Sequence, residues 1–195
     1  DQTYMLYRLG AEVLERLCLP LGEFEKEDVR EMAREMGLAC ADAPDSMEIC
    51  FIPDGDHAAY IQNAGYAPKA GRFIGLDGQD LGPHKGVQHY TVGQRQGLGI
   101  GGGTPFYVVR VDACRNEVVV GRREDAVSSS LVVRDLNWQG IAEPTEPVTG
   151  FVKIRSTGKP IGPVTLENGV LRASCDLFGV APGQSAVSEA VTRWA

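Results

Sequence analysis

The spacing of apolar residues predicts two amphipathic helices at the start of the chain. Leucines recur at helical spacing over residues 4–18, and the segment Pro20-Leu21-Gly22 ends this pattern. A second stripe lies within residues 26–36, where acidic side chains fill the first turn and Gly37 follows the last. Its members are Val29, Met32, Ala33 and Met36. Each stripe needs a partner, and the pattern fits both mutual packing of the helices and docking on a larger domain.

After residue 56 the pattern changes from helical stripes to short alternating runs. One more short helix is predicted from Asp56 to about Gln62, with Asp54 or Asp56 as its cap. The pairs Asp77-Gly78 and Asn168-Gly169 are typical of hairpin turns. Strands are predicted at 106–112, 117–121, 131–138, 150–155, 162–166, 170–175 and 184–188. Short strands at this spacing favour small β-barrels over a parallel sheet, and residues 122–130 are interpreted as a linker.

Composition and charge are those of a soluble globular protein in which charge is unevenly distributed. The 195 residues (21.0 kDa) are 43% hydrophobic and 23% charged, and no apolar run reaches the length of a membrane span. The net charge of −7 argues against a general nucleic-acid binder. Residues 1–56 hold 5 basic and 14 acidic side chains, whereas residues 57–195 hold 14 basic and 12 acidic ones. The second part of the chain therefore leaves room for a local phosphate-contacting surface.

The cysteines are predicted to be free thiols rather than a metal site or a disulfide framework. They are odd in number and widely spaced, and none forms a C-x-x-C pair. Free thiols fit a reducing cytoplasm. The three histidines show no metal-binding spacing. The five cysteines are Cys18, Cys40, Cys50, Cys114 and Cys175.

One cysteine lies where the acidic helical part gives way to the strand-rich part, in the segment Asp45-Ser46-Met47-Glu48-Ile49-Cys50-Phe51. The thiolate is the nucleophilic form of a cysteine, so a reactive Cys50 needs surroundings that favour this form. The alternative is that Cys50 is a small buried side chain, which is the commonest role of a free cysteine. The residues alone leave both interpretations open.

A glycine-rich segment, residues 97–102, matches the G-x-G-x-x-G pattern in form. A dinucleotide site is excluded, because that pattern must open a helix, whereas this segment leads into the strand-like residues 106–109. The segment is instead interpreted as a flexible loop whose backbone can approach a ligand closely.

The segment around Cys50 closely resembles the D-S-x-x-I-C-F segment of the bacterial tRNA-specific 2-thiouridylases. Residues 90–100 resemble the family's Y-T-x-G-Q-R-x-G-L-x-I segment, and residues 82–86 its G-x-H-x-G segment. Further similar segments are residues 1–9 (D-Q-S-Y-F-L-x-x-L), 19–38 (P-L-G, V-R-x-x-A and G-L), 152–155 (V-K-I-R) and 182–184 (P-G-Q). The resemblance extends to about Val187, so the tail 188–195 lies outside it.

The resemblance implies a tRNA-uridine 2-sulfurtransferase, which replaces the C2 oxygen of the wobble uridine with sulfur. In such enzymes ATP with magnesium adenylates the uridine oxygen, and a cysteine persulfide, here on Cys50, delivers sulfur directly or as released sulfide. AMP then leaves, and a remaining thiol resolves the Cys50 disulfide. The implied partners are the anticodon arm of tRNA and a sulfur-relay donor protein, in the cytoplasm and without a membrane.

Two parts of the family pattern are missing from this sequence: the S-G-G-x-D-S phosphate-binding loop and the second catalytic cysteine. The chain is therefore interpreted as the C-terminal portion of such an enzyme, inactive alone, with ATP and magnesium bound by a domain that it lacks. The implied fold is α+β. It comprises a helical remnant of a PP-loop ATPase α/β domain (1–55), a small central β domain (56–121) and a C-terminal antiparallel β-barrel (122–195).

The resemblance also implies which residues contact tRNA, and these are Asp1, Gln2, Arg155, Ser156 and Gln184. Ser156 departs from the tyrosine that the family often has at this position. Lys85 and Arg95 are candidate phosphate contacts because of their charge, although exposed charge that only aids solubility is the alternative.

Two other functions remain compatible with the sequence. One is an RNA-binding β module in which Cys50 is structural. The other is a persulfide sulfur-carrier protein that binds no RNA.

Overall fold

Within the described part of the chain, four short helices precede nine strands. The computed structural model describes residues 3–44, 51–52 and 55–190. No helix in these ranges is long and apolar enough to cross a membrane. The helices are α1 (Thr3–Leu6), α2 (Ala11–Leu14), α3 (Lys26–Glu35) and α4 (His57–Asn63). The strands are β1 (Gly71–Gly75), β2 (Asp80–His84), β3 (Tyr107–Asp112), β4 (Glu117–Gly121), β5 (Val127–Val132), β6 (Val148–Lys153), β7 (Ile161–Glu167), β8 (Val170–Phe178) and β9 (Val187–Ala190).

The prediction of one helix over residues 4–18 is wrong, since α1 and α2 are separate. Gly10 lies between them in an extended conformation, with φ −71° and ψ 161°. The side-chain amides of Asn137 and Gln139 donate to the backbone carbonyls of Leu6, Tyr7 and Leu9, with lengths of 2.7–3.0 Å. Partners about 130 positions away thus satisfy the carbonyls at the end of α1, so a continuous helix is not needed to pair them.

The predicted second helix is confirmed to within one residue as α3. Its first turn is closed by a capping box, in which the Asp28 carboxylate accepts from the Glu25 amide at 3.3 Å. Arg34 near its end forms ion pairs with Glu27, Glu31 and Asp42. None of the side chains of α3 is buried, so no part of the described chain covers this helix fully.

The predicted short helix after residue 56 is also confirmed, as α4. The Asp56 carboxylate caps it by accepting from the amide of Ala59 at 2.9 Å. Of the two candidate caps, Asp54 lies outside the described residues.

Strands β1–β4 form a mixed sheet in the order β2-β1-β4-β3. The β1–β2 hairpin turns at Asp77-Gly78 as predicted, and β3–β4 is a second antiparallel pair. Strands β1 and β4 pair in parallel, which the sequence did not indicate. One face of the sheet packs on the segment that connects β2 to β3. This core comprises Phe73, Tyr90, Leu98, Val108, Val118 and Val120.

Strands β5–β9 form an antiparallel sheet in the order β5-β8-β7-β6-β9. The β7–β8 hairpin turns at Asn168 (φ 49°) and Gly169 (φ 73°), the positive-φ pair that a two-residue turn requires. The sheet is not a closed barrel over the described residues, because β5 and β9 lie at its two edges without pairing. The α+β organisation is therefore confirmed, but the C-terminal barrel is not. The buried centre of this sheet comprises Val152, Val164, Leu171 and Leu177.

The linker interpretation of residues 122–130 is wrong. Residues 123–126 form a 3₁₀ turn, and the serines that follow belong to β5. Ser128 and Ser130 are half-buried while Ser129 is exposed. Burial therefore alternates as in a strand, although all three side chains are polar. Because β5 is an edge strand that pairs only with β8, it tolerates polar side chains that a central strand would not.

His84 is a core residue of the first sheet and is expected to make stability depend on pH. The side chain is 4% exposed and contacts the rings of Phe73 and Tyr90. Its Nδ1 accepts from the amide of Gly86 at 3.0 Å, whereas Nε2 has no partner among the described residues. Burial is the main cause that lowers the pKa of His84 below its ordinary value.

We therefore expect His84 to make the free energy of unfolding decrease as the pH is lowered. The unfolded chain binds a proton at His84 near pH 6.5, while the folded chain binds it only at lower pH. The contribution is thus fully present above about pH 6.5 and is lost as the pH falls from there through the lower pKa of the folded chain. Urea unfolding at about pH 7.5 and 5.5 measures the loss. His84→Gln should lose less stability between the two pH values, and an equal loss in both proteins would contradict the prediction.

Candidate nucleic-acid interface

Three of the predicted site residues, Asp1, Gln2 and Cys50, lie outside the described residues. The chain immediately after Cys50 is described. Phe51 contacts the ring of Tyr60 on α4, with centroids 5.6 Å apart, and Ile52 is buried. The segment that carries the predicted persulfide cysteine is therefore followed by residues that pack on the body of the protein.

The two candidate phosphate contacts lie in loops that flank the core of the first sheet. Lys85 directly follows β2, and Arg95 lies in the loop between the 3₁₀ turn 87–89 and β3. Both side chains are exposed. The structure therefore leaves both side chains accessible to a ligand.

Arg155 forms hydrogen bonds within the protein, which a residue that only contacts phosphate would not need. Its Nη2 donates to the carbonyl of Val92 at 2.8 Å and to that of Gly179 at 3.0 Å. Val92 belongs to the loop of the first sheet and Gly179 follows β8 of the second. One guanidinium nitrogen therefore connects the two sheets, while Nε and Nη1 make no hydrogen bond within the described residues.

The two sheets meet at this point in a close contact, which we call the junction and define as Val92, Gly93, Arg155, Phe178 and Gly179. A Cβ on Gly93 would lie 2.9 Å from the Cα of Gly179, so the backbones approach more closely than side chains permit. The Phe178 ring packs edge-on against Tyr107 at 5.7 Å, and the Arg123 guanidinium lies 4.7 Å from its centroid. Hydrogen bonds, ring packing and cation–π contact thus fix the relative position of the sheets.

Gly93→Ala is expected to destabilise the junction. Gly93 has φ +85°, and its new Cβ would also collide with Gly179. Backbone strain and displacement together should cost about 2–4 kcal/mol, measured by urea unfolding. Gly99→Ala is the matched control, because Gly99 has φ +68° and nothing lies within 4 Å of the position that its new methyl group would occupy. The control should cost only about 1 kcal/mol, and equal costs would contradict the close contact.

Gln184 lies in the turn 181–184 after β8, where its backbone amide donates to Ala181 at 3.2 Å and its side chain is exposed. The next residue, Ser185, contacts α1: its carbonyl accepts from the Tyr4 hydroxyl at 3.0 Å, and its hydroxyl donates to that of Tyr7. Tyr4 is two residues beyond Gln2. Helix α1 and the turn that carries Gln184, separated by most of the sequence, therefore lie next to each other. Ser156 is exposed beside Arg155.

A cleft of about 790 Å³ lies between the first sheet and the turn that carries Gln184. Sequence reasoning did not identify the two arginines on its border, Arg110 and Arg115, because exposed charges on a hairpin have no distinguishing pattern. The remaining lining is mostly apolar and includes Ile74 and Val119.

Metal and dinucleotide chemistry find no support in the described residues. They contain no group of three His, Cys, Asp or Glu side chains that could hold a metal ion. Cys18, Cys40, Cys114 and Cys175 are free and exposed. The glycine-rich segment after residue 96 leads into β3 and not into a helix, as predicted.

Two family models match consecutive parts of the chain. Residues 1–54 match the tRNA methyl transferase HUP domain, and residues 59–122 match the tRNA methyl transferase PRC-barrel domain. The first covers α1–α3, and the second covers most of α4 and the first sheet.

Curated relatives match nearly the whole chain. The tRNA-specific 2-thiouridylase of Microcystis aeruginosa is 42% identical over 191 residues, covering 96% of this chain and 54% of the relative. That of Acetivibrio thermocellus is 45% identical over 192 residues, with the same coverage of 96% and 54%. That of Xanthobacter autotrophicus is 44% identical over 197 residues, covering 96% and 50%. The chain therefore belongs to the family of the tRNA-specific 2-thiouridylases, and it spans about half the length of the curated relatives that it matches.

Proposed function

We propose that this chain supplies the tRNA-holding surface and the sulfur-carrying cysteine of an ATP-dependent tRNA-uridine 2-sulfurtransferase. The observation that carries the proposal is the proximity of the Gln184 turn to α1, which follows directly on Asp1 and Gln2. In this proposal Asp1, Gln2, Arg155, Ser156 and Gln184 contact the anticodon arm. Lys85 and Arg95 add phosphate contacts, and the chain divides into units at 1–55, 56–121 and 122–195.

The proposed chemistry begins with an activated uridine. ATP and magnesium are assigned to the part of the parent protein outside this chain, because the described residues offer no metal-ligand cluster and the sequence has no phosphate-binding loop. The terminal sulfur of a Cys50 persulfide then bonds to C2 of the uridine, and AMP leaves with the former oxygen. A second thiol attacks Sγ of Cys50 and breaks the S–S bond, which leaves sulfur on the uridine. The resulting protein disulfide is reduced by a dithiol before a sulfur donor reloads Cys50.

The free side of Arg155 supports this role. Its Nη2 is committed to the two backbone carbonyls, but Nε and Nη1 remain available on a side chain that reaches solvent. Nε and Nη1 lie on different edges of the guanidinium, so each can offer a single charged donor to a phosphate oxygen. A phosphate bound there would be connected through the same guanidinium to both sheets.

Purified full-length protein, incubated with ATP, magnesium, a persulfide donor and unmodified tRNA, tests the proposal. Nucleoside mass spectrometry should detect 2-thiouridine at the wobble position, and residues 1–195 alone should form none. Thiolation by residues 1–195 alone would contradict the division of labour, and no thiolation by the full-length protein would contradict the function.

A further inference from the structure

The cleft beside Gln184 has an apolar floor that lies outside the cluster of buried side chains around Phe73. Neighbouring residues of a strand point to opposite faces of a sheet. Phe73 and Val118 accordingly enter the core, whereas Ile74 and Val119, next to them in β1 and β4, line the cleft. The floor is thus the second face of a sheet whose first face is already packed.

The opposite wall is the turn after β8, which adds both apolar surface and polar groups. Ala181 and Pro182 line the cleft together with Gln184. Thr91 lies on the other side, preceding the junction. The Gln184 amide and the Thr91 hydroxyl both donate and accept hydrogen bonds, which suits the edge of a nucleobase. A volume near 790 Å³ is that of a small-ligand site.

The charges at the border favour an anion at Arg115. Arg110 is paired with Asp112 at 3.3 Å, and the same carboxylate accepts from the backbone amide of Arg115 at 3.0 Å. Asp112 thus fixes the backbone of Arg115, while the Arg115 guanidinium has no ion pair or hydrogen bond within the described residues. Glu117 is the one carboxylate on the described lining of the cleft, against two arginines.

We propose that this cleft binds one unstacked nucleotide of single-stranded RNA, with its base on the Ile74–Val119 floor and its phosphate on Arg115. A planar base with polar edges matches an apolar floor bordered by Gln184 and Thr91, and a guanidinium is a geometric match for phosphate. An added peptide strand is a poorer match, because it would pair with a sheet edge and the cleft lies on a sheet face. The inference rests on the proposed function, since it assumes that the protein binds tRNA.

Two variants of the full-length protein test the site by different means. Arg115→Gln removes the phosphate partner, and Ala181→Phe fills the cleft without changing its charge. Each should raise the Kd for unmodified tRNA about tenfold. Only Arg115→Gln should also reduce the slope of log Kd against log salt, by about 0.7–0.9. Arg172→Gln, on an exposed arginine of β8 that is not part of the cleft lining, is the matched control and should bind as the unchanged protein does.

The outcomes separate this inference from the proposed function. Failure of the unchanged protein to bind tRNA overturns both. Normal tRNA binding by Arg115→Gln and Ala181→Phe, with the unchanged protein binding, overturns the cleft site alone. A loss in Arg115→Gln with normal binding by Ala181→Phe overturns the base-binding part, since the floor would then be unused. A melting temperature equal to that of the unchanged protein, measured by thermal unfolding, establishes that both variants fold.

Discussion

Cys50→Ser in the full-length protein is expected to reduce 2-thiouridine formation at least about 10³-fold. A serine hydroxyl cannot carry a sulfane sulfur, so the group to be transferred is lost while the side-chain volume hardly changes. The tRNA affinity should stay within about twofold of the unchanged protein, because the proposed RNA contacts lie on other residues. The measurement is mass spectrometry of the digested tRNA after a fixed reaction time.

Two matched controls are available in the chain itself. Cys114 and Cys175 are free and exposed, so Cys114→Ser and Cys175→Ser remove a reactive thiol without touching the proposed chemistry. Both variants should keep thiolation. Thiolation by Cys50→Ser at the unchanged rate would make Cys50 structural and favour an RNA-binding module.

Alkylation rates separate the same alternatives without a substrate. A sulfur-accepting Cys50 should react faster near neutral pH than the exposed Cys18 and Cys175, because sulfur transfer requires the thiolate. Equal rates would favour the structural role. A sulfur carrier without RNA would instead show a fast Cys50 and no salt-dependent tRNA binding.

Arg155→Ala is expected to loosen the two sheets and to weaken tRNA binding in the same variant. It removes two charge-assisted hydrogen bonds, to Val92 and Gly179. At about 1.5 kcal/mol each, the lower end for a side chain that reaches solvent, the loss is about 3 kcal/mol. Hydrogen exchange should rise at the junction amides, and the Kd for tRNA should increase at least about tenfold, because a phosphate partner is lost and its neighbours lose their relative position.

Arg155→Lys separates the two roles of this residue. The lysine keeps the positive charge, but its single ammonium nitrogen cannot hold both carbonyls from the position of Nη2 and leave other nitrogens free for phosphate. Junction exchange should therefore rise nearly as far as in the alanine variant, with a smaller loss of tRNA affinity. Arg172→Ala should change neither property. Unchanged exchange in Arg155→Ala would contradict the connection between the sheets.

Elements whose determinants are local could be predicted from the sequence. The stripe, the acidic first turn and Gly37 fix α3 to within one residue, and the two hairpin turns lie at Asp77-Gly78 and Asn168-Gly169 as expected. Strand β4 matches its predicted bounds because its own apolar residues and the glycine that ends it specify it without help from distant residues. In each case the signal lies within about ten residues of the element that it determines.

Elements with distant determinants could not be predicted in this way. The break between α1 and α2 depends on Asn137 and Gln139, which are about 130 positions away. Strand β5 resembles a linker because its edge position permits three serines, and the edge position follows only from the strand order. Likewise, nothing in the sequence of either strand indicates that β1 pairs in parallel with β4.

The candidate site shows the same division. The motifs single out Gln184 and Arg155, but they give no hint that Arg155 bonds to Val92, 63 positions away. Arg110 and Arg115 have no motif at all and become notable only because a cleft opens beside them. The family resemblance assigns roles to residues one at a time, whereas the structure shows the contacts that the described ones make.

The most direct test of the central claim is the mass of the Cys50 peptide. Full-length protein is loaded by its persulfide donor without tRNA, the thiols are blocked, and the digested peptides are analysed by mass spectrometry. We expect one additional sulfur atom on the peptide that contains Cys50, and its loss after ATP and unmodified tRNA are added. Additional sulfur on Cys18, Cys40, Cys114 or Cys175 but never on Cys50 would contradict the claim.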